Sequence, residues 1–126
     1  MTVDKSLLAG STTMLVLKLL DGQDMYGYQM IEELSRRSER AFALKTGTLY
    51  PLLHSLEEKE LIRSYEKDEG AARPRRYYHL ERKGQHLLRE KEVEWATFTT
   101  AVDRVLKGRV CLGSASNLYP VCPHRG

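Results

Sequence analysis

Between Lys45 and His54 the sequence KTGTLYPLLH gathers Lys45, Thr46, Thr48, Tyr50, Pro51 and His54 into one short stretch. Ammonium, hydroxyl and imidazole groups at this density are hydrogen-bonding equipment for a polar or anionic surface. Further along, ARPRR supplies Arg73, Arg75 and Arg76, whose planar guanidinium forks match pairs of phosphate or carboxylate oxygens. Neither group contains the nucleophile, base and orienting carboxylate that covalent catalysis needs. His54, His79 and His86 fall in three separate segments with no Ser, Cys or carboxylate constellation beside them, so no catalytic site and no enzymatic activity are expected. There is no Walker-type or GxGxxG phosphate loop. Cys111, Cys122 and His124 are the remaining candidate ligands. The cysteines are far apart, no CxxC pair occurs and a fourth partner is missing, so neither a metal nor a cofactor is expected.

These side chains need elements to hold them. The stretch from Thr46 onward reads as a helix with Thr46 as N-cap, Leu49, Leu52, Leu53 and Leu56 forming its buried stripe, and the polar residues on the other side. Pro51 falls near its start, where the missing N–H costs least. Ahead of it, Lys5 to Leu20 carries one broad apolar face, with Gly10, Ser11 and Thr12 as the place where it bends or divides. DGQD at 21 to 24 is a turn signal, and MYGYQMIEELSRRS is a short amphipathic helix with Tyr26, Met30, Ile31 and Leu34 on its inner side. Residues 61 to 66 and 76 to 80 are rich in aromatic and branched side chains, and the Gly, Pro and charge between them predict a hairpin with a long tip. Arg82 to Lys107 reads as one long helix on which Leu88, Lys91, Trp95, Phe98, Val102 and Val105 form a seam. From Arg109 the sequence is an irregular tail rich in Gly, Ser, Pro and Cys.

A chain of 126 residues with 41% apolar and 29% charged residues and a net charge of +3 suits a single globular core. The mild positive charge allows an anionic partner without requiring one. The longest apolar run, Met14 to Leu17, falls far short of the roughly 18 residues of a membrane span, and the N-terminus has no continuous apolar signal region. A cytoplasmic location without a membrane partner is therefore expected.

Helix, helix, helix, hairpin, long helix is the winged helix-turn-helix order, in which the third helix enters the major groove of DNA and the hairpin lies on the adjacent backbone. The expected fold is thus mainly α with a small β-hairpin. Residues 1–81 form the winged helix-turn-helix domain, 82–108 a C-terminal dimerisation helix and 109–126 the tail. On this layout Lys45, Thr46 and Thr48 stand at the anion-favouring start of the recognition helix. Tyr50 and His54 reach base edges or sugar, and Pro51 and the Thr48 methyl suit a thymine methyl. Glu66, Asp68 and Glu69 oppose phosphate on the ascending strand, so DNA contact in the wing is assigned to Arg73, Arg75 and Arg76 alone.

MYGYQMIEEL, TGTLYPLLHSLEEKELI and RPRRYYHLERKGQ, in this order and spacing, resemble the PadR family of bacterial transcriptional regulators over residues 5 to 107. The resemblance implies a dimeric winged-helix repressor of the short subfamily with a single C-terminal helix for dimerisation. In the family pattern Tyr26 and Gly27 open the second helix. Thr48, Leu49, Tyr50 and Pro51 match the recognition-helix motif, and Arg75, Arg76, Tyr77 and Tyr78 match the wing. Dimerisation through Leu88, Trp95, Phe98, Val102 and Val105 would present two recognition helices to a pseudo-palindromic operator on double-stranded DNA, about 34 to 36 Å apart. Trp95 aligns with a tryptophan that multidrug-responsive members use to stack planar aromatic ligands, so Trp95, with Phe98, is the expected ligand site. The rivals to a ligand-responsive repressor are a winged-helix protein-interaction adaptor and a metal or redox sensor using the tail cysteines.

Overall fold

A computed structural model describes residues 3–68, 70 and 73–108. The N-terminal stretch divides into α1 (Lys5–Ala9) and α2 (Thr12–Leu20). The break follows from hydroxyl chemistry, because Ser11 Oγ and Thr12 Oγ1 both donate to the Leu8 carbonyl, at 3.2 and 2.8 Å, and end the first helix there. The turn that follows uses Gly22 at φ +92° and leads to β1 (Met25–Tyr26) and α3 (Gly27–Arg37). The Gln29 side-chain carbonyl closes the start of α3 by accepting from the Tyr26 backbone N–H at 3.3 Å.

Next comes α4 (Thr46–Glu58). Its N-cap is Lys45 rather than Thr46, with no side-chain cap: the Lys45 carbonyl accepts from the N–H groups of Thr48 and Leu49 at 3.0 and 2.9 Å. Thr46 stands inside the first turn with its side chain exposed. Leu49, Leu53 and Leu56 are buried as the spacing predicts, whereas Leu52 is only half-buried. Glu60 at φ +63° carries the chain out of α4 into β2 (Ile62–Lys67), which pairs antiparallel with β3 (Arg75–Leu80).

The expected hairpin is part of a three-stranded sheet in the order β1-β3-β2. β1 is two residues long, too short to leave an alternating pattern, yet it fixes Met25 opposite Tyr78 and Tyr26 opposite Tyr77. One face of the sheet closes over the helices, where Leu17, Met30, Leu49, Leu53 and Ile62 are fully buried.

α5 (Arg82–Lys107) follows directly. The chain divides into two compact units, Met1–Arg89 and Glu90–Gly126. Gly84 and Leu88, in the first turns of α5, belong to the core of the first unit. Leu88 therefore departs from the expected seam. It is 0% exposed within a single chain and has no surface left for a second copy. In the second unit Trp95, Phe98 and Val105 are 43%, 57% and 83% exposed, and Val102 is half-buried. No helix among the described residues is long and apolar enough to cross a membrane.

Candidate nucleic-acid interface

The exposed face of α4 carries the residues that the sequence singles out. Lys45, Thr46, Thr48, Tyr50, Pro51 and His54 are all exposed, opposite the buried leucines. His54 Nε2 lies 3.4 Å from Glu58 Oε2 one turn on. The face presents an ammonium, two hydroxyls, a phenol and an imidazole on a backbone fixed from behind by packing.

The wing arginines separate into three environments. Arg73 is exposed in the tip, whereas Arg75 and Arg76 are the first residues of β3 and not part of the tip. Successive strand residues point to opposite faces. Arg76, facing Glu66 across the ladder, donates from Nη1 to Ser64 Oγ at 2.9 Å and has Nη2 3.9 Å from Glu66. Ser64 in turn donates to Glu57 Oε2 on α4 at 2.6 Å, so the wing and α4 are joined by a continuous polar chain. Glu66 thus neutralises part of Arg76 and does not point away from it.

Arg75 belongs to the other face, where its guanidinium lies 4.5 Å from the Tyr26 ring centre. That face is a ladder of aromatic rings and cations. Tyr26 meets Tyr77 edge-on at 5.4 Å, Tyr77 stacks on Tyr65 at 5.9 Å, and the Lys67 ammonium lies 5.3 Å from the Tyr77 ring. Asp24, in the turn before β1, accepts from Tyr65 Oη at 2.7 Å and from His79 Nδ1 at 2.8 Å, tying the turn to β2 and β3. Burial pushes the Asp24 carboxyl up, but the hydrogen bonds from Tyr65 and His79, with the charges of His79 and Arg63, outweigh it and leave the group below its ordinary value. The same bond holds the Tyr65 phenol above its usual range.

Between the start of α3, α4 and β3 lies an open groove of about 500 Å³, lined by Tyr26, Gly27, Tyr28, Glu32, Tyr50, Arg75, Arg76 and Tyr78. Tyr50 closes one side by laying its ring against Gly27. A Cβ at residue 27 would stand 2.6 Å from Tyr50 Cζ and closer still to the hydroxyl. Tyr78 is only 6% exposed, and burial raises its phenol, so its O–H stays protonated and able to donate.

The sequence profile of the transcriptional regulator PadR-like family matches residues 16–90, from α2 through the wing into α5. The chain belongs to the PadR-like family of transcriptional regulators. A PadR family transcriptional regulator from Eggerthella lenta is similar at 33% identity with a TM-score of 0.72, covering 82% of this chain and 88% of that one. An uncharacterized protein of Lysinibacillus sphaericus is 32% identical over 106 residues, 84% of this chain and 97% of its own length. Transcriptional regulator YqjI of Escherichia coli is 24% identical over 114 residues, and the match spans 88% of this chain but 49% of that regulator. PadR-like proteins are transcriptional regulators rather than enzymes, and DNA binding is a trait of the family.

Within this PadR-like unit, the groove brings Tyr50, Arg75 and Arg76 together, while Lys45, Thr46, Thr48 and His54 do not line it. Sequence reasoning gave Tyr28, Glu32, Ser64 and Glu57 no part in the site, and named Tyr78 only as part of the wing motif. The alternation in RRYYHL holds the signal for Arg76 and Tyr78 sharing a face, but the register that sets Ser64 beside Tyr78 is visible only once β2 and β3 are paired. Trp95 and Phe98 lie in the second unit with ring centres 5.8 Å apart. Cys111, Cys122 and His124 lie outside the described residues. Among the described ones no group of three His, Cys, Asp or Glu side chains could hold a metal.

Proposed function

We propose that this PadR-like regulator is a ligand-responsive repressor that binds a pseudo-palindromic operator as a homodimer. The observation carrying the DNA-binding mode is the exposed polar face of α4, adjoined by a wing with Arg73 in its tip and Arg75 and Arg76 at the start of β3. Lys45, Thr46, Thr48, Tyr50, Pro51 and His54 contact the duplex from α4, and Arg73, Arg75 and Arg76 from the wing. A single recognition helix reads few base pairs, so a twofold pair of half-sites is needed for strong specificity. The apolar residues for that pairing are Trp95, Phe98, Val102 and Val105, joined by the exposed Leu106 on the same side of the helix. Burying large apolar side chains that otherwise face water stabilises association through the hydrophobic effect. Trp95 and Phe98 offer planar faces for an aromatic effector, because stacking tolerates ligands of differing hydrogen-bond pattern.

The test is a mobility shift on the duplex upstream of the protein's own coding region, across a salt series, with sedimentation of the same sample. Retarded, salt-sensitive binding by a dimeric species is expected. Replacing Arg75 and Arg76 with Ala should weaken operator and scrambled duplex alike and reduce the logarithmic salt slope by about one per lost phosphate contact. Planar dyes should quench Trp95 fluorescence and change the shift. A monomer that leaves every duplex unretarded, or dyes without effect on a verified dimer, would refute the corresponding part.

A further inference from the structure

Tyr50 stands out from the other polar residues of α4. It lies across the first residue of α3 and lines a groove together with Arg75 and Arg76, whereas Lys45, Thr48 and His54 do not line that groove. We infer that Gly27 is the positioning residue that seats Tyr50, and that the seated Tyr50 contacts a phosphodiester of the DNA backbone in the groove of Arg75, Arg76 and Tyr78 instead of reading a base edge. The inference rests on the DNA-binding reading above and assigns one of its contacts a different role.

The geometry supports each part. Any Cβ at residue 27 would fall within 3.0 Å of Tyr50 Cε1 and 2.6 Å of Cζ, so only glycine lets the ring take this position. With the ring so placed, the Tyr50 hydroxyl is at the opening of α3, whereas base readout requires a side chain projecting from the recognition helix into the major groove. The groove around it suits an anion carrying several acceptor oxygens. Guanidiniums are donors only, and a protonated Tyr78 hydroxyl can donate as well. Phosphate contacts of this type fix register and orientation without sequence information. Glu32 also lines the groove and Glu66 lies 3.9 Å from Arg76, and both oppose an anion there, while the two guanidiniums and the Tyr78 hydroxyl supply the donors.

Five variants test this on the full chain with two probes, the duplex upstream of its coding region and a scrambled duplex of equal length. Tyr50→Phe should weaken both by the same factor, about tenfold for a charge-assisted hydrogen bond, without changing the salt slope, since no cation is removed. Gly27→Ala should do likewise by displacing the ring. In a Tyr50→Ala background, the added Gly27→Ala change should cost less than twofold, because the ring it would displace is gone. Glu32→Gln should tighten both duplexes and does not depend on how residue 27 folds. The inference is overturned if Tyr50→Phe lowers the ratio of specific to scrambled binding, if the two changes multiply in the double variant, or if Glu32→Gln leaves both duplexes unchanged. Failure of the wild-type protein to bind either duplex refutes the DNA-binding reading itself.

Discussion

Gly84 gives the sharpest test of how α5 joins the first unit. A Cβ there would stand 2.6 Å from Leu80 Cδ1 and 3.1 Å from the Leu61 carbonyl carbon, with the carbonyl oxygen closer than either. Carbon atoms in contact ordinarily keep about 3.5–4.0 Å apart, so Gly84→Ala demands about an ångström of movement. The Leu80 methyl can yield. The Leu61 carbonyl cannot do so freely, because it accepts the Glu81 N–H at 3.0 Å and holds the join between β3 and α5. Overpacking of this kind costs about 1–3 kcal/mol, and straining the hydrogen bond adds about 1 kcal/mol. The better helix propensity of Ala returns about 1 kcal/mol. The net loss is about 1–3 kcal/mol, which at about 4–8 °C per kcal/mol lowers Tm by roughly 5–20 °C in a unit of this size. Gly47 supplies the control. It also lies inside a helix, but nothing stands within 4 Å of its Cβ position, so Gly47→Ala should raise Tm through propensity alone. Thermal melts followed by circular dichroism compare the two. A Gly84→Ala protein melting at or above wild type, or both variants shifting in the same direction, would refute the packing argument.

Two further perturbations probe the polar links. The Asp24 carboxyl lies below its ordinary value of 3.8 in the folded state, so its contribution to stability is complete above that value and is lost as pH falls through the lower folded value. Urea unfolding of wild type and Asp24→Asn should therefore differ near neutral pH and converge below about pH 4, and a constant gap across that range would contradict the linkage. Ser64→Ala removes the hydroxyl between Arg76 and Glu57 and should lower stability by about 1 kcal/mol, with Glu57→Gln costing clearly less in that background than alone. Strict additivity would show that the chain does not act as a unit.

The helical part of this architecture was legible because its signal is local. Apolar spacing marks α4 and α5, and Gly, Pro and charge mark the wing tip. The errors arise where a position is decided by a distant partner. Leu88 fits a seam by periodicity, yet the base of α5 is drawn into the core by contact with residues far away in sequence. β1 escapes because two residues carry no period, and its pairing with β3 is what sets Tyr26 beside Tyr77 and under Arg75. Arg75 and Arg76 read as one basic cluster from their adjacency, but strand alternation sends them to opposite faces with different partners. The groove escaped for the same reason, since its lining comes from α3, α4 and β3 together.

Two contacts then define how α4 is held. Near its start Tyr50 lies on Gly27 of α3, and at its last turn Glu57 reaches Arg76 of the wing through Ser64. A helix restrained at both ends, one end to the scaffold and the other to the sheet, meets its target already ordered, which reduces the ordering cost of binding. The same restraint limits how an effector could act. Tilting α4 against its own wing would break the Glu57–Ser64–Arg76 chain, and shifting it against α3 would unseat Tyr50; breaking linked hydrogen bonds of charged groups costs about 1.5–3 kcal/mol each. Moving α3, α4 and the wing together as one body breaks neither. In the proposed dimer, ligand control therefore acts on the spacing of two intact α3–α4–wing bodies, and the hydrogen-exchange protection of α4 should be the same with and without an effector dye. Loss of protection along α4 on dye binding would place the switch inside the domain instead.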